Sequence, residues 1–247
     1  MFFKKRKQTE IPEIVEGEYM KPPKQKMSRK KKIFIVAMCV AMILLICASS
    51  CFFGFYYVKK DYSTVASFVT LPDPVQEETS GEIKTTVDDY EIVYTKRAKY
   101  VLTGLVVEKY YYFPYKIQNK ICRYDLGVVW GPLLGVDLEG MMTFKNDGQR
   151  FLHYKYNTNL TSKLGSKEAV INSLSNNHMI HANDQILKSL RNVKEGDYIR
   201  FEGYLVDAYY KSAKRSGSWT TSLTRTDHGD GACEVFYLTK ITWLKTK

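Results

Sequence analysis

Two polar clusters hold most of the side chains in this sequence that are able to do chemistry. The first is Ser175-Asn176-Asn177-His178-Met179-Ile180-His181-Ala182-Asn183-Asp184. His178, His181 and Asp184 are three apart, a spacing that would gather imidazole and carboxylate ligands around zinc if the segment were helical. The same residues also read without a metal: Asn183 caps a helix that starts at Asp184, and Asp184 complements its dipole. The second cluster is Thr226-Asp227-His228-Gly229-Asp230-Gly231-Ala232-Cys233-Glu234. Asp227, Asp230 and Glu234 offer hard oxygen ligands, but the alternating acids and central Gly of a calcium loop are absent. We therefore expect no metal and no other cofactor. Asn176, Asn177, His178, Asp184, Arg225, Asp227, Asp230 and Glu234 form the candidate binding surface. Cys233 with His178 or His228 is the one set suited to nucleophilic catalysis, with a thiolate attacking and an imidazole moving the proton. Cys122 and Cys233 are also the candidates for a disulfide.

These clusters lie beyond a long apolar run. Ile33 to Val58 contains no Asp, Glu, Lys, Arg or His. Its length suits a hydrocarbon core of about 30 Å at roughly 1.5 Å per residue. Arg29 to Lys32 precede it, and Phe52, Phe53, Phe55, Tyr56 and Tyr57 close it like an interfacial belt. The expectation is a transmembrane helix over 33–58 behind a basic, disordered cytoplasmic tail over 1–32. The basic flank orients it, leaving the remainder outside the cell or inner membrane. A cleaved signal peptide would need a shorter apolar core and a small-x-small site. A lipoprotein signal ending at Cys51 would need a Leu three places earlier.

The charge balance supports that reading over a nucleic-acid one. The chain carries a net +11, but the first 32 residues hold 11 basic against 4 acidic groups, and the stretch from Lys59 holds 26 against 22. The basic excess is concentrated beside the span, so the lipid bilayer is an expected partner and nucleic acid is not. No phosphate-binding loop, dinucleotide fingerprint or hydrolase elbow occurs.

Residues 59–97 read as a polar stalk, with Leu71-Pro72-Asp73-Pro74 and Glu77-Glu78-Thr79-Ser80-Gly81-Glu82. Residues 98–247 read as a β-rich domain. Tyr100–Val107 and Asp125–Gly131 have strand composition, and Asn146-Asp147-Gly148 marks a tight hairpin inside Met141–Tyr156. Helices are expected over Ser166–Leu174 and Asp184–Val193, and strands over Tyr198–Val206 and Cys233–Leu244.

Strands, then a helix, then two strands resembles an OB-like small barrel, in which a helix links the third and fourth strands. Val193-Lys194-Glu195-Gly196-Asp197-Tyr198-Ile199-Arg200-Phe201-Glu202-Gly203-Tyr204-Leu205 looks like the fourth strand of that family. The whole chain also looks like bacterial single-span membrane proteins of unknown function. The fold class is thus an N-terminal transmembrane α-helix plus a mainly β (α+β) OB-like barrel. Anchor, outer barrel, His and later Cys together also look like a sortase. That resemblance implies Cys233 as nucleophile and His178 as acid and base. The chain departs from the family in having Gly231-Ala232-Cys233 for its Thr-Leu-x-Thr-Cys strand, and no Arg after Arg225. The expected function is a membrane-anchored, extracytoplasmic binding module for a protein, a peptide or an envelope polymer. The alternative is a Cys/His envelope enzyme.

Overall fold

The structure is a computed structural model that describes residues 28–55, 59–227, 229 and 231–247, with the side chains of 46–55 left out. Most of the expected basic tail, the belt residues Tyr56 and Tyr57, and the candidate residues His228 and Asp230 lie outside the described residues. The chain divides into two compact units, 1–55 and 56–247.

In the first unit, α1 (Arg29–Phe55) is helical over its described length. Among the described residues no helix is long and apolar enough to cross a membrane. The described side chains of α1 run only from Arg29 to Leu45, fewer than the roughly 20 residues a span uses.

The second unit is mainly β. Its strands are β1 (Tyr62–Val65), β2 (Val75–Glu78), β3 (Glu82–Val87), β4 (Tyr90–Tyr111), β5 (Cys122–Val129), β6 (Met142–Asn146), β7 (Leu152–Tyr156), β8 (Leu174–His181), β9 (Tyr198–Lys211), β10 (Ser216–Trp219) and β11 (Glu234–Thr246). Helices α2 (Ile117–Ile121), α3 (Thr158–Leu164), α4 (Lys167–Ile171) and α5 (Asp184–Asn192) interrupt them. Five strands pair in the order β11, β8, β5, β4, β9, and β9 pairs again with β11, so the sheet closes on itself. Only β8 and β11 run parallel within that ring. α5 connects the third ring strand in chain order to the fourth.

Alternation along the strands sorts side chains into bore and outer wall. Tyr100, Leu102, Leu126, Val128, Met179, Phe201, Leu205 and Phe236 form one buried cluster in the bore. Ile186, Leu187 and Leu190 of α5 join that cluster. Cys122, Ile180, Val206 and Val235, from the opposite face of the same strands, form a second. Closure depends on Gly203: a Cβ there would sit 2.1 Å from the Tyr237 carbonyl oxygen, so only glycine lets β9 approach β11 so closely.

The stalk expected over 59–97 is not one. β1 pairs with the end of β11, and β2 and β3 pair with β4, which begins at Tyr90. These strands are polar because they bury little of their own surface, and their order comes from ladder hydrogen bonds to β4 and β11. Most of the cluster 175–184 is likewise neither loop nor helix; only Asp184 at its end enters α5. Ser175 to His181 belong to β8, a strand inside the ring. Strand periodicity puts His178 and His181 on opposite faces, so the helical premise of the metal reading fails. The helix expected over Ser166–Leu174 ends at Ile171, with Ser166 as its cap. Asn183 caps α5 as expected, its side chain accepting from the Ile186 N–H.

Candidate functional site on the outer barrel wall

The hairpin β6–β7 lies against the outside of the ring at Gly127. A Cβ on Gly127 would meet a methyl of Leu152 at 2.9 Å, so a side chain there would have to displace the Leu152 tip. Its turn is longer than the tight turn expected at Asn146-Asp147-Gly148. Asn146 pairs with Leu152, and five residues loop between them. Gly148 and Arg150 both adopt positive φ there, at 77° and 78°. The Asn146 side chain organises the loop by accepting from Gly148 N at 2.8 Å and from the Tyr112 hydroxyl at 3.0 Å.

The loop delivers Arg150 to the barrel wall. Its Nη1 donates to Asp125 Oδ1 at 2.6 Å, and its Nη2 donates to the Cys122 carbonyl at 2.8 Å and to Asn119 Oδ1 at 2.9 Å. The guanidinium lies 3.6 Å from the centre of the Tyr112 ring and 5.2 Å from that of Trp219. Asp125 has no exposed surface. His178 Nδ1 approaches the same Oδ1 at 2.9 Å without the alignment of a hydrogen bond. Burial alone would raise the Asp125 carboxyl, but the His178 ring and the Arg150 guanidinium outweigh it and hold it below the usual carboxylate range. The Trp219 ring covers His178, centroids 4.4 Å apart.

Cys233 stands beside this network. Its Sγ is 3.5 Å from Asn176 Nδ2, which also donates to the Arg150 carbonyl at 2.7 Å. Burial pushes the Cys233 thiol up to about 11. Three cavities open over these residues. One of about 410 Å³ is lined by Tyr112, Lys116, Asn119, Arg150, Ser218 and Trp219 among others. A second, of about 400 Å³, takes in Arg150, His178, Ser218, Trp219, Thr220 and Cys233. The third, about 220 Å³, reaches Asn176, Asp227 and Cys233 from the β7 side.

The candidate residues divide between the wall, the bore and the surface. Asn176, His178 and Cys233 meet at the wall, and Asp227 borders it while accepting from the Ser222 hydroxyl at 2.6 Å. Arg225 and Glu234 belong to a different network: Arg225 Nη1 donates to Glu234 Oε1 and to the Tyr100 hydroxyl, each at 2.7 Å. Burial raises Glu234 to about 7 against the pull of Arg225. Asn177 bonds within the bore to Ser175 and to the Leu126 carbonyl. Asp184 is an exposed first-turn residue of α5, away from both networks.

The candidate Cys122–Cys233 disulfide is not formed; both thiols are free. Cys122 lies level with Ile180 on β8, while Cys233 precedes Glu234, which pairs with Asn177. That offset is about four residues, or roughly 13 Å along the strand, beyond any disulfide. Sequence reading missed Asp125, Arg150, Tyr112 and Trp219. The one available signal was Asp125, an acid opening an otherwise apolar strand run.

No protein-family model, curated protein or solved structure matches the chain.

Proposed function

We propose that the chain is a single-span membrane protein whose outer OB-like barrel is a binding module. Its ligand is a protein, a peptide or an envelope polymer, and it seats on the wall around Arg150, Ser218 and Trp219. The observation that carries this reading is the pair of cavities of about 410 and 400 Å³ meeting at those three residues over the Arg150–Asp125 pair. Preformed concave sites with an aromatic wall and a few fixed polar groups are what binding sites generally offer. The ring order, its one parallel pair and α5 between the third and fourth ring strands support the OB-like assignment. The uncharged run from Ile33 to Val58 and the basic flank before it support the anchor and an outward-facing barrel.

A Cys/His envelope enzyme has one observation in its favour: His178, Cys233 and Arg150 line the same cavity. The chemistry weighs against it. A thiol near 11 is almost wholly protonated at neutral pH, and the Arg150 fork is engaged by Asp125, Asn119 and the Cys122 carbonyl rather than available to an oxyanion.

The test is a photo-crosslinking amino acid placed at Ser218 of the full chain in its native cells, with exposed Lys163 on α3 as control. A discrete adduct at Ser218 and none at Lys163 is expected. Equal labelling at both, or none at Ser218, overturns the assignment.

A further inference from the structure

β10 carries an unused edge. It pairs with β9 through Ser216↔Lys211, Gly217↔Tyr210, Ser218↔Tyr209 and Trp219↔Ala208, and among the described residues no strand pairs with its other side. An open strand edge presents a row of N–H and C=O groups ready to receive another strand. The cavities follow this strand from end to end. One of about 350 Å³ touches Ser216 together with Lys116, Lys120 and Arg215. The next touches Ser218 and Trp219 together with Lys116 and Arg150. The third continues past Trp219 to Thr220 and Cys233. Alternate side chains of an added strand lie about 7 Å apart, so successive ones reach successive cavities.

The charge around the edge is net basic, with Lys116, Lys120, Arg150 and Arg215 against Asp88 and Asp89 among the described lining residues. The two cavities beside Trp219 contain no Asp or Glu among their described lining residues. The cavity at Ser216 has Asp88 and Asp89, but Lys120 already pairs with Asp88. Among the described residues neither Lys116 nor Arg215 is in an ion pair. These two cations therefore face a single remaining acid in that cavity, Asp89, which is itself in no ion pair among the described residues. Trp219, by contrast, is half-buried and offers an apolar wall.

We propose that the ligand of this site is an extended acidic peptide. It adds to β10 as a further strand, with one carboxylate near Lys116 and Arg215 and a neutral side chain against Trp219. The proposal rests on the wall-site reading above and names its ligand class.

The test uses the purified full-length chain in detergent micelles and a fluorescein-labelled octapeptide of repeating Asp-Asp-Thr-Thr, which alternates Asp and Thr along each face of the strand. Three further probes are the same peptide N-methylated at alternate amides, its Lys-for-Asp version, and dextran sulfate as a polyanion without strand edges. Binding of the acidic peptide is expected to be saturable. It should weaken by about tenfold or more on N-methylation, and equally in Lys116→Glu, because each removes one half of the recognition. Amide exchange at Ser216 to Trp219 should slow on binding. Equal affinity for the N-methylated peptide, displacement by dextran sulfate alone, or no binding of the acidic peptide overturns the proposal. If Ser218 still crosslinks a ligand in cells, only the peptide-strand assignment falls. If Ser218 gives no adduct, the site itself falls with it.

Discussion

Arg150 Nη1 lies 2.6 Å from Asp125 Oδ1, joining a residue of positive φ in a hairpin loop to a carboxylate with no exposed surface. The pair fixes the loop to the barrel and sets the floor on which Trp219 and Tyr112 rest.

Removing one partner leaves the other charge buried. Arg150→Met is expected to destabilise the protein by about 3–5 kcal/mol. That corresponds to a fall of about 10 °C in Tm, read by circular dichroism of the full chain in detergent. Asp125→Asn in the same background should restore part of the loss. An unchanged Tm in Arg150→Met would remove the pair from any structural role.

Glu234 gives a signature in acid. Its folded-state value of about 7 lies above the ordinary 4.5. Its contribution is therefore full below about 4.5, declines as the pH rises, and is gone above about 7. The total change is about 3 kcal/mol, at about 1.4 kcal/mol per pH unit. Burial also raises Glu108 to about 7, so two groups act in this window. Glu234→Gln should flatten the profile of Tm against pH between 4.5 and 7 without abolishing its slope. Asp125 works the other way: its depressed value supplies stability at neutral pH that disappears only when the pH falls below the usual carboxylate range.

The cover over His178 is the Trp219 ring. In the native protein diethyl pyrocarbonate should modify exposed His153 and spare His178, which is 2% exposed. Trp219→Ala should make His178 reactive, as read by peptide mass spectrometry. Labelling of His178 at the same rate in both proteins would contradict the packing.

Cys233 should be a slow thiol. With its value near 11, on the order of one molecule in several thousand is thiolate at pH 7.5, so iodoacetamide should label it far more slowly than a free cysteine peptide. Cys233→Ala should fold normally and keep the Ser218 crosslink. Rapid neutral-pH labelling would favour the enzyme reading instead.

Lys109 closes α5. Its ammonium donates to the carbonyls of Leu190, Arg191 and Val193 at 2.7–3.1 Å at the C-terminal end of the helix, where the Leu190 carbonyl also takes the Val193 N–H. Lys109→Met should cost about 1–2 kcal/mol and speed amide exchange through Ser189 to Val193 more than elsewhere.

Elements with strong local signals were legible in the sequence. Asn183 before Asp184, with Ile186, Leu187 and Leu190 on one face, gave α5 nearly to the residue. Alternation marked β9, and Gly203 proved to be where the ring closes. β8 was not legible, because Ser175, Asn176, Asn177 and His178 are all buried yet polar. Their suitability for a ring strand depends on Asp125, Leu126 and Arg150, which only the fold brings near. β1 to β3 failed for the opposite reason: their side chains are mostly exposed, so pairing with β4 and β11 leaves little hydrophobic pattern. Of the site, Asn176, His178 and Cys233 stood out by residue type. Arg150 did not, since an arginine alone in a turn carries no spacing signal, and neither did Trp219 beyond its size.

The claim that a ligand seats on the outer wall at β10 is tested most directly by the yield of the Ser218 photo-adduct in cells, compared between the parent chain and Trp219→Ala. A discrete adduct is expected in the parent and is lost in Trp219→Ala, with Lys163 unlabelled and the amount of folded protein equal in both. An adduct of equal yield in the two proteins, or none in the parent, would contradict it.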